Sequence, residues 1–399
     1  MRVVVITETY QPNMGYLATM LPKYFVRNGL EVHVLAIDLP PYHSLDEFRG
    51  GVPAFLQSQT LRAGEILEID GYTVHVQRHR WLFGYTFMTG LHRKLAQIKP
   101  DVVYCVMAIG WSPLLTLASK CLLRFKLFTG SHTAAIMFPL ARASRITLFQ
   151  WTRNLFTRWI PGRLVSTFTE ACYCPTSDCG EVAWRFFGIQ KRKVKLLHLG
   201  IDTDIFFPIK TDEHAAARVA LRAKLGFGAN DIVCIYTGKM TEQKNAVLLA
   251  RAVERLRAEG LSYRGLFIGD GAQRKAVEAF RDSTVLELMP VAELGAFYRA
   301  ADIAVWLTNE STSMLDAAAC GTPIIVSDQI YQDHVTGNGL SYAMNDIGSL
   351  CDRLKELADP DRRRVLGLNG ARKMFDGFSW NLAAQKRIED FEKALRAVH

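Results

Sequence analysis

The sequence predicts an α/β protein made of two doubly wound parallel sheets, and three observations carry that expectation. At 399 residues the chain exceeds one ordinary core, because a domain takes roughly 150 residues. Short apolar runs alternate with helical patterns twice, once before and once after the segment Gly200 to Pro208. Strands that alternate with helices form a parallel sheet covered on both faces. With 49% hydrophobic and 22% charged residues, the composition is that of a globular chain and excludes a disordered or fibrous one.

The first series opens at once with Val3 to Ile6, passes a loop at Pro12 to Gly15, and continues with a helical pattern from Leu17 to Asn28 and an apolar run from Val32 to Ile37. This is a βαβ unit. A helix near Leu91 to Ile98, a strand at Val102 to Val106 and another at Lys126 to Thr129 extend it. The longest apolar stretch, Val102 to Leu123, is broken by Trp111, Ser112, Pro113 and Lys120. It therefore splits into a buried strand and a helix, and no transmembrane span is expected. The opening apolar run is too short for a signal sequence.

After Pro208 the second series runs from a strand at Ile232 to Tyr236 through a polar loop, Gly238 to Asn245, into a helix at Ala246 to Glu259. Next come a strand at Gly265 to Ile268, the turn Gly269-Asp270-Gly271, a strand at Ile303 to Leu307, a helix from about Ser313 to Ala319, and a strand at Ile324 to Val326. The boundary is placed between residues 204 and 205, with the hinge in the segment Gly200 to Pro208 that contains it. Ligands of such sheets lie beyond the carboxyl ends of the strands, so the active site is expected in the cleft between the domains.

The net charge of +9 is carried by one half of the chain: residues 1–204 hold 23 Lys+Arg against 14 Asp+Glu, and the remainder balances at 25 each. Between Asp101 and Glu170 there is no acid, although Lys120, Arg124, Lys126, Arg142, Arg145, Arg153, Arg158 and Arg163 all lie there. That asymmetry calls for an anionic partner. If Arg145 to Ile160 is one helix, Leu148, Leu155, Phe156 and Trp159 share a face flanked by Arg153 and Arg158, the profile of an interfacial helix or, equally, of a core-facing helix with solvated arginines. The basic aromatic region 120–163 is the candidate for peripheral membrane contact. No nucleic-acid-binding motif accompanies the charge, and none is expected as partner. Eight cysteines in a long chain with a good core suggest neither a disulfide framework nor zinc spacing, and fit the cytoplasm.

Familiar catalytic signatures are missing. Gly269-Asp270-Gly271 is followed by Ala272-Gln273-Arg274 and so is not a dinucleotide fingerprint. No phosphate-binding P-loop, H-E-x-x-H helix or G-x-S-x-G elbow occurs. What remains suits a diphosphate. Gly238-Lys239 follows a strand and Lys244 lies in the loop that opens a helix, so two ammonium groups can converge near a helix N-terminus. Asn309-Glu310-Ser311-Thr312-Ser313-Met314-Leu315-Asp316 sets two carboxylates about a helix start whose Ser-Thr-Ser offers capping hydroxyls and amides. Asp316, taken as first-turn, also suits the helix dipole.

These residues resemble those of family 4 glycosyltransferases. The family's nucleotide-sugar motif places a Glu, seven residues, a second Glu and a small-residue helix ending in Gly-x-Pro. Asp316-Ala317-Ala318-Ala319-Cys320-Gly321-Thr322-Pro323 is similar to its second half, with Asp for the second Glu and only five residues between it and Glu310. Tyr10 to Gly15 resembles the family's first glycine loop, with Tyr16 where a second Gly is usual. Thr129-Gly130-Ser131-His132 resembles a strand ending in an active-site His, and Leu199 to Pro208 the interdomain crossing. Gly238-Lys239 to Lys244 resembles the Gly-Arg to Lys clamp, with Lys for Arg. Phe378-Ser379-Trp380 resembles the start of a C-terminal helix, 381–399, that packs back on the first domain.

The resemblance implies a GT-B fold of two Rossmann-like domains, 1–204 on the acceptor side and 205–380 for the nucleotide sugar. It implies a retaining, hexosyltransferase-type enzyme that moves a sugar from a nucleotide diphosphate, UDP ahead of GDP, to a glycan or lipid-linked acceptor in cell-surface polysaccharide assembly. Gly15 would admit backbone amides to the diphosphate, and Lys239 and Lys244 would neutralise the leaving group. Glu310 would contact sugar hydroxyls, Asp316 the ribose, and His132 the donor sugar. Gly238, Gly269, Ser311, Thr312, Ser313 and Met314 complete the donor site, with Met289 in the loop 288–291 near the base. No metal or other cofactor is expected. An epimerase or hydrolase of the same fold, or a non-catalytic nucleotide-sugar-binding subunit, is the alternative. The location implied is cytoplasmic, at the inner face of the plasma membrane.

Overall fold

The computed structural model describes residues 1–40, 57–330 and 332–397, so the last two residues of the expected C-terminal helix lie outside the described residues. The chain forms two compact units, divided at Leu199/Gly200 and again at Ser379/Trp380. In the first unit the strands are β1 (Arg2–Ile6), β2 (Glu31–Ile37), β3 (Ile66–Ile69), β4 (Tyr72–Gln77), β5 (His79–Leu82), β6 (Tyr85–Met88), β7 (Val102–Cys105), β8 (Lys126–Gly130), β9 (Cys172–Cys174) and β10 (Val194–Leu196). Eight of them form one sheet in the order β10-β9-β8-β7-β1-β2-β4-β3. Only the edge pair β3 and β4 is antiparallel within it.

Successive residues of β1 serve opposite faces. Val3 and Val5 enter one core with Val32, Val34, Leu21 and Phe25; Val4 and Ile6 enter another with Leu35, Ile37, Leu91 and Leu95. Both faces are buried, which is why the central strands read as unbroken apolar runs. The helix Leu17–Arg27 covers the first face beside the helix Trp380–Arg396, whose Phe391 ring lies 4.6 Å from Phe128 and 5.6 Å from Phe25. Although it ends the described chain, the last helix belongs to the first unit.

The second unit repeats the architecture with β11 (Ile232–Thr237), β12 (Tyr263–Ile268), β13 (Ser283–Leu286), β14 (Ile303–Trp306), β15 (Ile324–Ser327) and β16 (Gly339–Tyr342). Their order is β13-β12-β11-β14-β15-β16, and every pair is parallel. The expectation of two doubly wound sheets is met. All eight cysteines are free, as the composition suggested.

Two expectations need correction. The first is that residues 201–204 close the first domain. The Ile201 amide donates to the Phe378 carbonyl at 2.6 Å and Ile201 bridges to Ser379, while the buried Asp202 accepts the Asp204 amide at 3.1 Å in a turn. Ile201 and Phe206 both lie in the second core. These bonds attach the crossing to the second unit.

The second is the single helix over 145–160. Helix Leu148–Asn154 gives way to a π-helical turn, Leu155–Trp159, and then to helix Ile160–Phe168. A π-turn inserts an extra residue and shifts the register, so the face drawn through Leu148, Leu155, Phe156 and Trp159 does not persist. Gly162 is the point of closest packing, where a Cβ would collide with the Phe187 carbonyl. Gly162→Ala is expected to lower stability by about 2 kcal/mol or more through forced backbone displacement. Urea denaturation with an unchanged m-value checks this.

Candidate functional site

In the second unit the loops after β11 and β12 touch backbone to backbone. Gly238 leaves β11 at φ 138° and Gly269 leaves β12 at φ 147°. A Cβ on Gly269 would collide with the Gly238 carbonyl, and one on Gly271 would stand 2.6 Å from that of Met240. The Met240 amide donates to the Asp270 carbonyl at 2.8 Å, and the Gln273 amide to that of Met240 at 2.7 Å. Glycine is required here for close approach.

Asn245, left-handed at φ 54°, turns the chain into helix Ala246–Ala258. Just before it, the half-buried Lys244 donates from Nζ to the Glu310 carbonyl oxygen at 3.3 Å. Burial, and secondarily the neighbouring Lys239, push this ammonium down to about 8, with Glu310 acting in the opposite sense. Lys239, Lys244 and Glu310 are thus brought together. Such a pair of cations, one partly desolvated, favours an anion.

Beyond β14, Ser311 precedes helix Thr312–Ala319 in extended conformation, with no side-chain capping bond. The expected capping hydroxyls have other partners: Ser311 Oγ and Ser313 Oγ are 2.7 Å apart, and Trp306 Nε1 donates to Ser313 Oγ at 3.1 Å. Asp316 is not in the first turn, because the helix starts at Thr312. The dipole argument for it fails. Burial, and secondarily Asp202, hold its carboxyl well above the usual range. Met314 is in the core, which leaves its backbone alone for a ligand. Met289, beyond β13, packs against the same core from the loop before helix Val291–Ala300.

His334 was not anticipated. It is buried, with Nδ1 3.6 Å from Glu310 Oε1 and its ring edge-on to Phe378 at 5.5 Å. The sequence 331–338 offers no motif to announce it.

In the first unit, Gly15 (φ 66°) follows the β1 loop and leads through Tyr16 into helix Leu17–Arg27, where no side chain caps the N-terminus. His132 lies two residues beyond β8. A Cβ on Gly130 would stand 2.6 Å from Tyr104 Oη, 2.7 Å from the Val106 carbonyl and 2.8 Å from His132 Nε2, so Gly130 makes room for the imidazole. His132 is pushed down to about 4, by burial first and then by Arg387.

Arg387 is fully buried. Its guanidinium lies 4.7 Å from the Tyr173 ring centre and 5.8 Å from that of Tyr104, and Nη1 donates to the Ala383 carbonyl at 2.8 Å. Glu8, past β1, is also held above the usual carboxylate range by burial, against hydrogen bonds from Thr86 and Ser112. Neither residue was singled out from the sequence. Arg387 sits at an apolar position of its helix, in step with Trp380, Ala383, Ala384 and Phe391, and that misfit was the available signal.

A pH dependence follows. In the unfolded chain a histidine titrates at about 6.5, whereas His132 does so at about 4 when folded. Between these values the unfolded state binds more protons, so stability is full above about 6.5 and falls as pH drops towards 4. His132→Gln should flatten that fall. Arg387→Met should raise the His132 midpoint, read from its imidazole NMR shifts.

The sequence profile described as "Glycosyltransferase Family 4" matches residues 14–205, and that described as "Glycosyl transferases group 1" matches 231–359. A D-inositol 3-phosphate glycosyltransferase of Xylanimonas cellulosilytica is 29% identical over 248 residues, covering 57% of this chain and 58% of that one. That of Mycobacterium tuberculosis is 28% identical over 237 residues, covering 55% and 48%. The chain thus spans about half the length of these curated relatives. Among solved structures, sucrose-phosphate synthase of Thermosynechococcus elongatus aligns with a TM-score of 0.72 at 15% identity, covering 99% of both chains. Anabaena HepE, solved in complex with UDP-glucose, aligns at 0.68 and 14%, covering 98% of this chain and 100% of its own. These likenesses establish the GT-B fold, and the two profiles, together with the motif order, establish the lineage: the chain belongs to the family 4 glycosyltransferases.

Proposed function

We propose that the protein transfers a hexose, with retention, from a nucleotide diphosphate sugar to a glycan or lipid-linked acceptor in cell-surface polysaccharide assembly. The observation that carries this reading is the partly desolvated Lys244 held against the Glu310 backbone beside Lys239. An ammonium group in that setting gains most when a diphosphate arrives, and the largest electrostatic demand of glycosyl transfer is the charge growing on the leaving diphosphate. Lys239 and Lys244 neutralise it, Glu310 meets the sugar hydroxyls, and the amides of Ser311, Thr312, Ser313 and Met314 face the phosphates. Gly15 lets the backbone approach, Gly238 and Gly269 shape the donor loop, Asp316 takes the ribose, and Met289 borders the base.

His132 serves as a neutral hydrogen-bonding group to the donor sugar, consistent with its low titration point. No metal or other cofactor takes part. UDP is favoured over GDP, in line with the UDP-glucose bound by the structurally similar HepE. The enzyme works in the cytoplasm, at the inner face of the plasma membrane.

Thermal stabilisation by UDP, GDP and dTDP tests the donor site. A nucleotide at about 100 times its dissociation constant stabilises the fold by about 2.7 kcal/mol. One of the three is expected to do so, and Lys244→Ala to abolish the response. Because Lys244 loses its proton near 8, affinity should fall as pH rises above that value, and binding there should take up a proton. Calorimetry in buffers of different ionisation enthalpy measures the uptake. If no nucleotide stabilises the protein, the donor site is wrong. Nucleotide binding without turnover on any donor would favour a binding subunit, and nucleotide release without an acceptor an epimerase or hydrolase.

A further inference from the structure

The helices between Leu148 and Phe168 invert the usual amphipathic arrangement. Apart from the buried Val165, their inward side is small or polar. Asn154 Nδ2 donates to the Phe186 carbonyl at 2.9 Å, Gly162 packs on the backbone of Phe187, and Ser166 Oγ accepts the Gln190 amide at 2.9 Å. The outward side carries Phe149, 72% exposed, Phe156 at 67%, and Ile160, Leu164 and Phe168. The last four follow at four-residue steps, one stripe along the surface. A surface helix normally turns that stripe inward. Of the 24 large apolar side chains exposed among the described residues, nine lie within 137–168. Helix Leu148–Asn154 nevertheless begins with a complete capping box from Thr147 and Gln150.

A second element belongs with it. The hairpin β5–β6 ends in Phe83-Gly84, both with positive φ, at 50° and 76°. A bulky residue is costly in the left-handed region, and Asn or Asp is the usual occupant of that turn position. Phe83 is 85% exposed there, next to the exposed Trp81 and Leu82. Trp111 Nε1 secures the hairpin by donating to the Leu82 carbonyl at 2.8 Å. Both β6 and helix Ile160–Phe168 pack on the same helix, Trp111–Lys120.

Charge identifies the occupant. Between Asp70 and Glu170 the chain has 13 Lys and Arg and a single acid, Asp101. Arg153, Arg158 and Arg163 lie along the apolar helices, with guanidinium groups 6.0, 5.5 and 5.9 Å from the ring centres of Phe149, Phe138 and Trp159. A second copy docking on this surface would set arginine against arginine. A fluid headgroup layer accepts isolated protruding rings such as Phe83 without a matching pocket, and rewards arginine where its lipids are anionic.

We infer that the helices Leu148–Phe168 and the hairpin tip at Phe83 form a docking surface for an anionic lipid bilayer. The protein lies on the bilayer: among the described residues no helix is long and apolar enough to cross it. This deepens the proposed location at a membrane face and rests on that reading for its purpose, while its geometry is independent of the donor site.

Flotation of the full chain with vesicles of phosphatidylcholine alone, or of phosphatidylcholine mixed with phosphatidylglycerol, tests it. Binding to the anionic vesicles is expected to be at least about tenfold stronger and to weaken with salt. The triple variant Phe83→Ser, Phe149→Ser, Phe156→Ser should lose at least about tenfold of that binding while its melting temperature holds, since these rings are exposed. Arg153→Gln with Arg158→Gln and Arg163→Gln should remove the preference for anionic lipid. Absence of wild-type binding, equal binding to both vesicles, or undiminished binding by the aromatic triple variant overturns the inference. So does self-association in light scattering that the triple variant abolishes, which would make a second copy the occupant. Nucleotide stabilisation, measured separately, shows whether the donor-site reading stands or falls on its own.

Discussion

Parallel strands cannot be joined by a tight turn; each must be followed by a crossover that covers a face of its sheet. Everything else in this protein depends on that constraint. It makes the central strands apolar on both sides, so that Val3 and Val4, neighbours in sequence, lie in different cores. It also sends the chain into a loop at the carboxyl end of every strand. Gly15 lies beyond β1, His132 beyond β8, Gly238, Lys239 and Lys244 beyond β11, Gly269 beyond β12, Met289 beyond β13, and Glu310 to Ser313 beyond β14. Because each loop inherits its position from a rigid strand, backbone groups can be set within hydrogen-bonding reach of one another, as Met240 and Asp270 are at 2.8 Å.

Within these loops, burial works against charge in a consistent pattern. Lys244 is drawn towards neutrality, Asp316 towards its acid form, and His132 is kept neutral. Desolvation is the leading cause in each case, with a like charge second: Lys239, Asp202 and Arg387 respectively. Groups prepared in this way respond strongly when a ligand supplies the missing counter-charge or hydrogen bond, and so perturbed groups of this kind gather at functional sites. Structural networks also use burial and charge, but there the partner is built in. Arg218 and Arg222 share Asp302 at 2.6 and 2.8 Å and leave it paired.

The two sheets were legible because central parallel strands announce themselves as apolar runs, and the glycine turns because their backbone needs no side chain. The short strands β9 and β10, of three residues each, were not, since periodicity needs more length than that. Motif spacing paired Lys239 with Lys244, and the family resemblance set Glu310 beside them, but neither could reveal that Asp316 faces Asp202, a residue 114 positions earlier. His334 and Arg387 escaped for the same reason. Their importance comes from what the fold packs around them, and linear order holds no trace of it. The π-turn at Leu155–Trp159 escaped because a register shift changes which residues share a face without altering their identities.

The helix Trp380–Arg396 completes the first unit from the far end of the described chain. Trp380, Ala383, Ala384 and Phe391 fill the core against which Phe25 and Phe128 pack, and Arg387 stands beside Tyr104 and Tyr173. During synthesis, domains generally fold in the order in which they emerge. Here that order is broken: residues 1–199 leave the ribosome first, yet one face of their sheet stays partly open until 380–396 have been made. The second unit, whose described residues are Gln57, Ser58 and 200–379, is complete in sequence before that helix is made and can close first. The part synthesised first is therefore the last to bury its apolar surface, and through that interval it depends on whatever shields an unfinished sheet.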